Sequence, residues 1–150
     1  MTRVLVDTNV FLYARGRAHD YREPCRAVLR AAAAGSIRLE ASVEVVQEFA
    51  HVLIRRGVDR SSAVAQAQEV NAQCLLHAFD EDVLTRALTL VADYSTLGMR
   101  DAVHAATALG ADIAQVVSAD RIFDGVEGIT RVDPLDPGAP WNLTGRSVDV

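Results

Sequence analysis

The sequence predicts a three-layer α/β/α sandwich around a mainly parallel central sheet. Short apolar segments with strand character alternate along it with helical segments, which implies right-handed crossovers and a sheet covered on both faces. Segment 113–117 is rich in β-branched and apolar residues, as a strand buried on both faces should be. With 150 residues, half of them hydrophobic, the chain can bury one core without disulfides or a structural metal.

Residues 3–6 read as a short continuous apolar strand that runs into Asp7, Thr8 and Asn9, residues suited to capping a helix over 10–14. A second helix spans 21–34 and is closed by Gly35. Ile37, Leu39 and Ala41 alternate as one face of a strand over 36–41. Residues 43–56 place Val45, Phe49, Val52 and Leu53 at helical spacing before Gly57. A helix opens at the serine pair of 61–72, a strand fits 74–79, and 80–93 repeats the helical pattern through Val83, Leu84, Ala87, Leu88 and Val91. Past Gly98, residues 100–110 form an alanine-rich helix, 113–117 a buried strand, 118–125 a short turn or helix, and 129–132 a last edge strand. The domain is expected to cover 1–137. Three prolines from Pro134 onward, Trp141 and weak periodicity predict an irregular tail over 138–150.

Net charge is −5, which argues against broad adhesion to nucleic acid through a basic surface. The distribution is uneven: residues 1–60 hold ten arginines against seven acids, so a polyanion would meet the N-terminal half first. Arg15, Arg17, Arg22, Arg26 and Arg30 cluster after the first helix and are candidate phosphate contacts; a solvated helix face paired with Asp20 and Glu23 is the equal alternative. Cys25 and Cys74 are far apart and lack metal-knuckle spacing, so two reduced, partly buried thiols are expected. The three-residue apolar run at the N-terminus is too short for a signal peptide or a span, which points to the cytoplasm and to no membrane role.

In an open parallel sheet, ligands bind beyond the carboxyl ends of strands where the strand order reverses. Asp7 and Asp120 follow the first strand and strand 113–117, and face each other if those strands are neighbours. Asp101 lies in the first turn of its helix, where backbone N–H groups favour an anion. Glu48 sits at the margin of an apolar helical stripe, where a charge calls for compensation. Gathered together, these four acids repel, and a hard divalent cation, Mg2+ or Mn2+ rather than zinc, is the usual remedy. A cation so placed activates water for in-line attack at phosphorus, so phosphodiester hydrolysis is the expected reaction, with Asp7, Asp101 and Asp120 as metal ligands. Each acid also has a plainer use: Asp7 and Asp120 as caps, Asp101 as a dipole partner, Glu48 as a solvated charge.

Four segments occur in order: Val4-Leu5-Val6-Asp7-Thr8-Asn9, Val45-Val46-Gln47-Glu48-Phe49, Arg100-Asp101-Ala102-Val103-His104 and Val117-Ser118-Ala119-Asp120-Arg121-Ile122-Phe123-Asp124. Together, over about 4–137, they resemble the PIN-domain family, and in a chain of this size the VapC toxins of bacterial toxin–antitoxin pairs. The resemblance implies a metal-dependent endoribonuclease whose four acids map onto Asp7, Glu48, Asp101 and Asp120. It further implies Asp124 as an additional acid, Thr8 and Ser118 as small hydroxyl residues near the site, Asn9 beside them, an RNA substrate, a cognate antitoxin that blocks the acidic pocket, and a homodimer. His104 shares a helical side with Asp101 and reads more readily as a packing residue; Glu44 and His51 share the stripe of Glu48 as solvated or supporting groups.

Phosphatases of the haloacid-dehalogenase type and response-regulator receivers also place an Asp after the first strand, but both use a lysine near the phosphate. All fifteen basic residues here are arginine. A P-loop protein falls by the same test. The remaining alternative is a catalytically inactive PIN-like module that binds RNA or protein.

Overall fold

The computed structural model describes residues 1–143. Strand β1 (Thr2–Val6) carries three consecutive side chains, Val4, Leu5 and Val6, that are fully buried. Neighbouring residues of a strand point to opposite faces, so β1 must be covered on both sides. It is: Val4 and Val6 enter one core with helices α1 (Thr8–Arg15), α2 (Arg22–Ala33), α3 (Val43–Arg55) and α4 (Arg60–Gln73), while Leu5 enters a second with α5 (Glu81–Asp93) and α6 (Met99–Gly110). These are the expected three layers.

β1 is the middle of five parallel strands, ordered β3 (Leu75–His77), β2 (Ile37–Ser42), β1, β4 (Gln115–Val117) and β5 (Thr130–Val132). The chain builds outward from β1 through β2 to β3, then returns across α5 and α6 to lay β4 on the other side of β1. Strand order reverses between β1 and β4, so Asp7 and Ser118 leave the sheet side by side; the Asp7 N–H donates to the Val117 carbonyl at 3.2 Å.

The helices stop where the sequence says they should. Gly35 (φ +79°) follows α2 and Gly57 (φ +84°) follows α3, both in the left-handed region. Ser42 caps α3 by accepting the Glu44 N–H at 3.1 Å. At the end of α6 an aspartate does the work of glycine: Asp112 takes φ +55°, and the Ile113 N–H closes onto the Ala108 carbonyl at 2.9 Å. That turn explains why β4 starts at Gln115. Ile113 is buried, as a strand residue would be, but its backbone is spent on closing the helix.

The stretch from 138 onward begins differently from the irregular tail expected. Ala139 and Trp141 are buried in the first core, the Trp141 indole donates to the Pro134 carbonyl at 3.1 Å, and α7 (Pro140–Leu143) packs on α2. Packing therefore continues past the boundary at 137, because an indole is too large an apolar surface to leave in water once α2 offers a face. The rest of the predicted tail, 144–150, lies outside the described residues.

Both cysteines are free, and burial pushes each thiol up to about 12, so both are inert thiols at neutral pH. No helix among the described residues is long and apolar enough to cross a membrane.

Candidate active site

Asp7 occupies the cap position of α1 with extended backbone (φ −83°, ψ 153°), yet its side chain makes no capping bond. Its Oδ2 instead accepts the hydroxyl of Ser118 at 2.8 Å. Both groups are buried. The Ser118 Oγ in turn accepts the backbone N–H of Asp120 at 3.0 Å, so one hydroxyl ties the two acids across the β1/β4 junction. The simple capping use is thus absent at Asp7. At Asp120 it is present: Oδ1 accepts the Ile122 N–H at 3.0 Å and caps the single 3-10 turn Arg121–Phe123.

Asp101 stands half-buried in the first turn of α6. Burial pushes its carboxyl up to about 6, helped by the charge of Asp7 and further by Asp120 and Glu48, against the opposing His104 imidazole. Asp101 therefore feels the charges of the other three predicted acids.

Glu48, in the middle of α3, lines a cavity of about 390 Å³ together with Arg100, Val103 and His104. The imidazole of His104, with Nε2 at 3.8 Å, holds its carboxyl below the usual range; burial opposes, and the Thr8 hydroxyl (3.0 Å) and the Arg100 guanidinium (3.7 Å) add to the lowering. The expected compensation for a charge at that helix margin is thus supplied by protein groups. His104 is buried, and its Nδ1 has no hydrogen-bond partner among the described residues.

Other expected members stand apart. Asp124 is exposed and its carboxylate accepts the Arg131 Nε–H at 2.8 Å, so its negative charge is tied to that guanidinium. Asn9 is exposed and lines a separate groove along α1. Among the arginines, Arg15 pairs with Glu69 at 2.7 Å and lies over the Phe49 ring, which removes it as a phosphate contact. Arg22, Arg26 and Arg30 surround Glu23 at 3.9, 2.9 and 4.0 Å, the solvated-face alternative, though Asp20 takes no part. Arg17 alone of that group has no carboxylate partner among the described residues.

The sequence reading missed Arg100 as a site residue and weighed His104 chiefly as a packing residue. Arg100 and His104 lie four apart on α6 and converge on Glu48. That i, i+4 spacing inside the Arg100-to-His104 segment was the available signal.

The donor set suits a hard cation. It consists of carboxylate oxygens, and the charges of Asp7, Asp120 and Glu48, which add to burial in raising Asp101, repel less when positive charge enters. Among the described residues no group of three or more acid, histidine or cysteine side chains is already arranged to hold a metal ion.

Fold and site together define an α/β/α parallel-sheet domain with acidic side chains placed around its topological switch point. The PIN domain model matches residues 4–129, and the chain belongs to the PIN-domain family. Ribonuclease VapC7 of Mycobacterium tuberculosis is 37% identical over 133 residues, covering 87% of this chain and 91% of that protein. In fold the chain is similar to a toxin–antitoxin complex from Klebsiella pneumoniae (TM-score 0.64, 20% identity, 87% of this chain and 97% of that one). It is also similar to VapBC2 from Rickettsia felis bound to a promoter DNA fragment (TM-score 0.69, 13% identity, 88% and 98%).

Proposed function

We propose that this chain is a divalent-metal-dependent endoribonuclease, the toxin of a toxin–antitoxin pair, acting in the cytoplasm. The observation that carries the reading is the shared field of Asp7, Glu48, Asp101 and Asp120, with Asp101 pushed up to about 6, in a chain related to a VapC ribonuclease. Four acids gathered at a crevice are costly, and a protein that keeps them there uses them.

Asp7, Asp101 and Asp120 would hold Mg2+ or Mn2+, which when bound activates water and neutralises charge at the scissile phosphate. The chain's own groups prepare that site. Ser118 fixes Asp7 through Oδ2 and sets Asp120 through its backbone N–H. Glu48, kept ionised by His104, Thr8 and Arg100, accepts a proton from the attacking water and orients it. Arg100 is exposed beside Glu48 and offers its guanidinium to a phosphate oxygen.

A cognate antitoxin that covers the acidic crevice, and a homodimer, are parts of the same reading. The Klebsiella and Rickettsia structures support the first, being complexes of related fold.

The test is cleavage of defined RNAs by the purified chain, free of antitoxin, with Mg2+ or Mn2+. Asp7→Ala and EDTA should each abolish it, and Glu48→Gln should do so with the melting temperature nearly unchanged. Cleavage that survives EDTA and Asp7→Ala would sink the mechanism. Metal-free protein that binds RNA without cutting it under any metal would favour the inactive binding module.

A further inference from the structure

We propose that the exposed face of α1 is a subsite for an unpaired nucleotide flanking the scissile phosphate, with Arg17 and Arg56 holding the backbone and His19 stacking on the base. The inference rests on the ribonuclease reading and extends it away from the carboxylates.

A groove of about 600 Å³ is lined by Asn9, Tyr13, Gly16, Arg17, His19 and Arg56 among others, and no carboxylate lines it. Asn9, Tyr13 and Gly16 lie at helical spacing on one side of α1. Asn9 is two residues along the chain from Asp7, and from Asn9 to Gly16 the groove follows α1 for about 10 Å, at 1.5 Å per residue. That is a distance over which the next nucleotides of a strand can be met.

The charge in this groove is available. Arg3 and Arg38 are committed to Glu40, Arg15 to Glu69, Arg22, Arg26 and Arg30 to Glu23, and Arg131 to Asp124. Arg17 and Arg56 have no carboxylate within ion-pair distance among the described residues, and the adjacent Arg55 has none either; a smaller cavity of about 240 Å³ joins Arg55 and Arg56. Guanidinium groups left without carboxylates in a net acidic chain, on the half that carries the positive excess, match phosphate.

The aromatic part is built rather than incidental. The His19 and Tyr13 rings stack at 4.7 Å and 25°, and Tyr13 and Tyr21 at 5.3 Å and 28°. The loop is fixed from both ends: the Tyr21 N–H donates to His19 Nδ1 at 3.1 Å, and the Tyr21 hydroxyl donates to Asp133 at 3.0 Å. His19 itself is exposed, so a flat ring is held at the groove edge with its surface open to a base. A flat ring beside two guanidiniums is the pairing that binds single strands, because every base has a stacking face and every link a phosphate.

The test is fluorescence anisotropy in EDTA, so that binding is read without cleavage, using the full chain and a labelled single-stranded RNA. Arg17→Ala/Arg56→Ala should weaken binding about tenfold or more and lower the log–log salt slope by about 1.4, the share of two phosphates. His19→Ala should weaken binding about fivefold or more, His19→Tyr should restore it, and both variants should match the wild type on an abasic RNA. Unchanged affinity and slope in the double variant would overturn the proposal, and so would a His19→Ala loss that persists on abasic RNA. RNA binding unchanged while the same variants lose an acidic protein partner would give the groove to protein and equally overturn it. Because the readout needs no metal and no cleavage, failure of the subsite is distinct from failure of the nuclease reading.

Discussion

Replacing Asp101 by Asn should stabilise the metal-free protein while destroying the proposed activity. The Asp101 carboxyl is carried from 3.8 up to about 6 by burial and by the charges of Asp7, Asp120 and Glu48. At about 1.4 kcal/mol per tenfold change, that displacement corresponds to about 3 kcal/mol of unfavourable ionisation at neutral pH. The side chain is only half-buried, so water screens about half, leaving about 1.5 kcal/mol. The sign follows from proton binding: between about 4 and 6 the folded state holds a proton that the unfolded state has released, so stability falls as pH rises through that window. Asn carries no such charge. In EDTA at pH 7.5, differential scanning calorimetry should find Asp101→Asn melting about 5 °C above the wild type, the usual conversion for a domain of this size. Near pH 4 the gap should close, because the wild-type carboxyl is then largely neutral. Manganese should close it from the other side by stabilising the wild type more. A variant that melts at or below the wild type at pH 7.5, or a gap independent of pH, would refute the claim that these acids crowd one another.

Ser118→Ala removes the hydroxyl that joins Asp7 to Asp120 and should lower cleavage by about tenfold or more, as loss of a positioning bond does, with a smaller effect on substrate affinity; equal kcat in the two proteins would refute it. Glu40 is fully buried, and burial pushes its carboxyl up, but bonds from Arg3, His77 and Arg38 outweigh this and bring it down to about 2. Glu40→Gln should cost about 2–3 kcal/mol at pH 7 by denaturant unfolding. That difference should persist above about pH 4.5 and vanish as pH falls toward 2. Asp112→Gly relieves a left-handed residue and should raise stability by about 1 kcal/mol, read as a shift in denaturant midpoint. Trp141→Ala should cost about 3 kcal/mol if α7 belongs to the core, and nearly nothing if it does not.

What sequence could show about the fold were features that repeat locally. Val4, Leu5 and Val6 have no polar neighbour to face water, so β1 had to be central, and the glycines after α2 and α3 mark turns that only a left-handed residue closes cheaply. Ile113 misled because burial and strand character usually coincide, and only the Asp112 turn separates them. Trp141 misled because a lone aromatic without periodicity gives no hint of the face it will meet, and that face belongs to α2, over a hundred residues earlier.

The backbone placement of three of the acids was legible for a reason other than motif. Asp7 and Asp120 follow the ends of neighbouring strands and Asp101 lies where a helix begins, so their positions on the backbone follow from the element order. The arginines were not legible in the same way. Whether a guanidinium is available for substrate depends on which carboxylate lies within reach, and that partner is set by packing. Arg15 and Arg17 are two residues apart in one cluster of positive charge, yet Glu69 of α4 reaches the first and no acid among the described residues reaches the second. In an acidic protein that acts on a polyanion, substrate binding must therefore be sought among the cations that packing leaves unpaired. Here two of those unpaired cations, Arg17 and Arg56, border the groove along α1.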